Sequence, residues 1–136
     1  MEAKDLRIGN LVFFPFTNET VEIVGINAHE SIDLQLNKTI INTISFRKDL
    51  NLYCEPIDKI KPIPLNAEWF EKFGYYDVNV PSHFIKDEMT IDEHRFWDCN
   101  GMFIDDKNGV RIEYVHQLQN LFFCLRGKEL TIINQE

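Results

Sequence analysis

The chain has 136 residues, 44% of them hydrophobic and 26% charged, and its eleven Phe, four Tyr and two Trp supply enough aromatic mass for a core to exclude a disordered chain. Its net charge is −8, most of it carried after residue 65, which disfavours bare nucleic acid and anionic membranes as direct partners. No apolar run approaches the roughly 20 residues needed to cross a bilayer, and Met-Glu-Ala-Lys-Asp lacks the basic-then-apolar order of a secretory signal, so a cytoplasmic protein is expected.

Asp5-Leu6-Arg7-Ile8-Gly9-Asn10 puts a turn-competent Gly-Asn pair before a first strand, Leu11–Phe14. Pro15 ends or edges that strand, because it cannot donate to a ladder. Residues 20–26, β-branched and rich in Val and Ile, read as a second strand, and 27–31 as a turn. Ile32, Leu34 and Leu36 then alternate with Asp33, Gln35 and Asn37, the cleanest period-two pattern in the chain and hence a predicted strand. After Asn37-Lys38 a further strand covers 39–46, with Ile40, Ile44 and Phe46 on one side. Over 55–65, Pro62 and Pro64 flank Ile63 and impose an extended segment, with a single tight turn over 56–60 before it. Short strands, one 3₁₀-like turn and a last short strand are the element order of an SH3-like small β-barrel, expected over residues 1–65.

Asn66 caps a short helix over 67–73, whose apolar side is Trp69, Phe70 and Phe73, and Gly74 supplies a left-handed position after it. Residues 75–81 read as a loop. Strand patterns return from His83, and Asn100-Gly101 is the strongest hairpin signal, pairing Cys99 with Met102, Asp98 with Phe103 and Trp97 with Ile104. Asn108-Gly109 turns the chain into a strand over 110–114. A helix, Val115–Arg126, ends at Gly127, and 129–133 is a predicted closing strand. The expected fold is therefore α+β, an N-terminal SH3-like small β-barrel fused to a C-terminal antiparallel β-meander with one main helix. Residues 1–65 and 66–136 are expected to pack as one unit, because Leu11-Val12-Phe13-Phe14 is apolar on both faces and no Gly/Ser linker separates the halves.

Chemistry is sparse along the chain. Asp87, Glu88, Asp92 and Glu93, with His83 and His94 nearby, have no metal-ligand spacing and read as a solvated acidic surface. Asp105 and Glu113 resemble a nuclease carboxylate pair only superficially, since Val115 stands where a lysine is usual. Cys54, Cys99 and Cys124 have no C-x-x-C spacing and read as buried free thiols. Six glycines form no phosphate cradle. No catalytic, cofactor-binding or metal-binding residue is assigned, and no cofactor is expected.

Two surfaces remain. Phe13-Phe14-Pro15-Phe16 reads either as packing or as an aromatic peptide-binding groove of the kind SH3 domains use. On the helix Val115–Arg126, Val115, Leu118, Leu121, Phe122 and Leu125 make an apolar stripe. The other arc carries His116, Gln117, Gln119, Asn120, Phe123 and Cys124. It reads either as packed beneath a strand or as a recognition pocket, which makes His116, Gln117, Gln119, Asn120 and Phe123 the candidate recognition surface.

The opener Leu6-Arg7-Ile8-Gly9-Asn10, the block Ile60-Lys61-Pro62-Ile63-Pro64-Leu65 with Trp69-Phe70-Glu71-Lys72-Phe73-Gly74-Tyr75, and Tyr114-Val115-His116-Gln117-Leu118-Gln119-Asn120-Leu121-Phe122-Phe123 together resemble a family of uncharacterised proteins encoded by phages, prophages and mobile elements of gut bacteria. The resemblance implies a bacterial cytoplasmic setting and an accessory role, and carries no activity or catalytic residue. The function expected is a non-enzymatic interaction protein that binds a host or phage protein, in one version as an acidic decoy. The alternative is a small-ligand or nucleotide binder with a pocket between the two halves.

Overall fold

A computed structural model describes residues 1–77, 83–96, 99–105 and 109–133. The fold is α+β, built from two antiparallel meander sheets and one main helix. Two compact units divide it, Met1–Ile63 and Pro64–Glu136. No helix among the described residues is long and apolar enough to cross a membrane.

In the first unit, strands β1 (Leu11–Phe14), β2 (Glu19–Ile32), β3 (Lys38–Lys48) and β4 (Asn51–Pro56) follow one another in sheet order. Alternation along β1 buries Val12 and Phe14 and leaves Leu11 and Phe13 half-buried. Val12 and Phe14 join Leu6, Val21, Ile23, Ile44, Phe46 and Ile60 in one core, where the Phe14 and Phe46 rings lie 5.1 Å apart. Asn10 is fully buried in the opening turn: its Oδ1 accepts from the Arg7 amide at 2.7 Å, and its carbonyl accepts from the Ile23 amide at 2.9 Å. The sheet does not close on itself, and β1 and β4 are its edges. After the 3₁₀ turn Ile57–Lys59, Lys61 meets Phe13 in a single antiparallel bridge, with both N–H···O bonds at 2.9 Å.

The turn predicted over 27–31 is strand. β2 runs on to Ile32, and the chain reverses over Asp33–Asn37 instead. The alternating 32–37 segment is thus a hairpin tip rather than a strand, with Leu34 and Leu36 out in solvent. Asp33 decides this. Its Oδ1 accepts from the amides of Gln35 and Asn37, both at 2.9 Å, an Asx-type turn that outcompetes a ladder. Ile40, placed by period with Ile44 and Phe46, shares their face but is exposed, because the hairpin has passed beyond the core.

In the second unit, α1 (Ala67–Lys72) starts at Asn66, whose Oδ1 accepts from the Trp69 amide at 3.1 Å, and ends before Gly74 at φ +83°. Its Phe70 stacks on Phe84 at 4.3 Å and meets Phe103 at 5.0 Å and Tyr75 at 5.3 Å. Strands β5 (Tyr76–Asp77), β6 (His83–Lys86), β7 (Met89–Phe96), β8 (Cys99–Asp105) and β9 (Arg111–Ile112) form the second sheet, followed by α2 (Val115–Arg126). The Asn100-Gly101 turn does not form. Both residues lie within β8, Cys99 pairs with Phe96 and Met102 with His94. Trp97 and Asp98, its other expected partners, lie outside the described residues. The observed register puts Phe84, Met89, Ile91, Phe103 and Ile112 on one buried face, and burial of that row overrides a local turn preference. A tight turn forms at Asp87-Glu88, whose φ values of +48° and +65° fit a type I′ loop between the paired Lys86 and Met89. Arg126 Nε donates to the Asp87 carbonyl at 2.7 Å, and Lys128 pairs with its carboxylate at 3.1 Å. Residues 129–133 form no strand. Leu130 is buried, and the Ile133 amide donates to the Lys72 carbonyl at 2.9 Å.

Candidate functional site

The Phe13–Lys61 bridge fixes what lies beside it. It holds the end of β1 against the segment after the 3₁₀ turn, so the β1–β2 loop faces the chain from Glu55 to Lys61. That loop is tight: the Asn18 amide donates to the Pro15 carbonyl at 3.2 Å, and Asn18 takes φ +57°. Between the two runs a groove of about 620 Å³ is lined by Phe14, Pro15, Phe16, Glu55, Asp58, Lys59 and Lys61. Phe14 is buried, whereas Phe16, whose ring centre lies 6.0 Å from that of Phe14, is 89% exposed. An apolar floor of Phe and Pro rimmed by two acids and two bases has the composition of a recognition surface. It offers no nucleophile paired with a base.

Sequence reasoning singled out the Phe-Pro-Phe run and missed the opposite wall. Glu55, Asp58, Lys59 and Lys61 lie some forty positions later and resemble any solvated charges. The signal that could have found them is the tight turn ahead of Pro62 and Pro64, which returns this segment to β1.

The α2 residues are distributed differently. His116 and Gln119 are buried beside Val115, Leu118 and Phe122, while Leu125 is exposed. The inward face is thus turned toward the polar arc. The His116 ring stacks on Tyr114 at 5.9 Å. Gln117 caps the helix, its Oε1 accepting from the amides of Glu113 at 2.8 Å and Tyr114 at 3.0 Å. Asn120 is half-buried and Phe123 is exposed. These five residues therefore divide between core, cap and surface.

His83 and Asp92, cross-strand partners on β6 and β7, meet through Nδ1 and Oδ1. No group of three His, Cys, Asp or Glu among the described residues could hold a metal ion. Asp105 is buried, while Glu113 is exposed and pairs with Arg111 at 3.4 Å. Cys54 and Cys124 are free but exposed, not buried as expected, because one points outward from β4 and the other lies on the outer arc of α2. Burial pushes the Lys86 ammonium below its ordinary pKa and the Tyr75 phenol above its own. Both are structural: Lys86 donates to the Phe73 carbonyl at the end of α1 and lies 5.9 Å from the Phe122 ring centre, and the Tyr75 hydroxyl donates to Met89 Sδ at 3.5 Å. Compared with known proteins, the chain matches no family model, no curated protein and no solved structure.

Proposed function

We propose that the chain is a non-enzymatic interaction protein whose docking site is the Phe14–Phe16 groove. Its ligand is an extended segment of another protein that offers a proline or aromatic side chain to the groove and charges of both signs to its rim. Phe16 carries this reading. A phenylalanine that is 89% exposed at the edge of an apolar groove forgoes about 1.5–3 kcal/mol of burial that a partner can supply. Aromatic-lined grooves take extended, proline-rich segments because those lose little entropy on docking. Lys59 and Lys61 can meet acids of the ligand, and Glu55 and Asp58 can meet its bases.

Two further parts of the reading have their own support. Four meander strands, a 3₁₀ turn and the return of Lys61 to β1 favour an SH3-like small barrel for the first unit. The residues resembling phage and mobile-element proteins favour an accessory protein in a bacterial cytoplasm, with a host or phage protein as partner. A displayed random-peptide library tests the docking site. Peptides selected on the full chain are expected to be rich in proline or aromatic residues and to lose binding at least about tenfold to Phe16→Ser. Selected peptides that bind Phe16→Ser as well as the parent would sink the assignment.

A further inference from the structure

β1 pairs with β2 only as far as Glu22, and β4 pairs with β3 only from Thr43. Beyond those points β2 and β3 pair with each other alone, from Ala28↔Asn42 to Ile32↔Lys38. At about 3.3 Å per residue this ribbon projects roughly 16 Å. Its tip is ordered, since Asp33 accepts from Gln35 and Asn37 and the Leu36 amide donates to the Asp33 carbonyl at 3.0 Å. One face continues the core row of Ile26 and Ile44 outward as Ala28, Ile40 and Ile32, and there it meets water: Ile40 is 69% exposed. A two-stranded ribbon without a covered face is marginal in water, so this arm needs something to pack against.

We propose that the arm is a self-association surface and that its occupant is the same face of a second copy. The charges favour that partner. Besides Asn42 opposite Ala28, this face carries one acid and one base, Glu30 opposite Ile40 and Lys38 opposite Ile32, and the two pair at 3.4 Å within one arm. One acid and one base flanking an aliphatic row are self-complementary. A two-fold axis presents Lys38 of each copy to Glu30 of the other, as a closed isologous dimer requires. Elsewhere a second copy of a chain with net charge −8 is repelled, whereas on this face charge is balanced.

Sedimentation velocity of the full chain over a concentration series tests the proposal. The parent is expected to dimerise with a micromolar dissociation constant, and Ile40→Glu to be monomeric at the same concentrations. Ile32→Glu takes its place if that variant does not fold. Glu30→Lys and Lys38→Glu should each weaken the dimer about tenfold by making the face like-charged, and the double exchange should restore it to within about threefold of the parent. Phe16→Ser should dimerise like the parent, which separates this surface from the groove. The proposal is overturned by a parent that stays monomeric up to about 1 mM, by a dimer that survives both isoleucine variants, or by a double exchange that restores nothing. A monomer whose arm binds a different protein also overturns it.

Discussion

Two single residues hold backbone geometry that their side chains can be asked about directly. Asp33 sits at the arm tip, and the Asn37 amide it accepts, followed by the Gln35 amide and the Asn37 side chain, holds its carboxyl below the ordinary value of 3.8. A carboxylate with a depressed folded pKa contributes order that is complete above its unfolded value and is lost as pH falls through the folded one. The Gln35 and Asn37 amide resonances should therefore titrate with a midpoint below 3.8, and Asp33→Ala should abolish that titration. A midpoint at or above the ordinary value would contradict this account of the tip. Glu88 is a different case. It holds φ +65° with a Cβ, in the Asp87-Glu88 turn that Arg126 and Lys128 secure through Asp87. Glycine relieves that steric cost, so Glu88→Gly should raise stability by about 0.5–1 kcal/mol in urea unfolding. A lower stability would mean that the side chain itself is held.

At the scale of elements, α2 shows what a helical pattern tells and what it omits. Its bounds, Val115–Arg126, and its left-handed stop at Gly127 were legible, because cap chemistry is local. Its rotation was not. Periodicity located an apolar stripe ending at Leu125, whereas the packed face takes in His116 and Gln119 and leaves Leu125 exposed. Replacing the buried His116 by Ala should cost about 1–3 kcal/mol, checked by thermal or urea unfolding. A His116→Ala protein as stable as its parent would return this face to the list of recognition surfaces. The hairpins failed for a related reason. Asn100-Gly101 is a strong turn sequence, yet the pair became strand, since the register that buries Phe84, Ile91, Phe103 and Ile112 together is set by the whole sheet. In the first sheet, alternation at 32–37 mimicked a strand because Leu34 and Leu36 are apolar without being buried. Half of the groove was readable from Phe14-Pro15-Phe16. The other half depends on one long-range bridge, Phe13 to Lys61, which no local pattern encodes.

For the whole molecule, composition excluded more than it identified. A net charge of −8 sets the general surface against acidic partners, and against this background the groove is distinct in carrying aromatic and proline side chains with acids and bases in equal number. This groove is the docking site proposed for a partner's extended segment. The most direct measurement is a two-dimensional amide NMR titration of the full chain with a peptide selected from the displayed library. Shifts that saturate with a single binding curve and centre on residues 13–18 and 55–61 are expected, with Phe16→Ser removing them at the same peptide concentrations. Shifts centred instead on α2 or on the second sheet, or shifts unchanged in Phe16→Ser, would contradict docking at the groove.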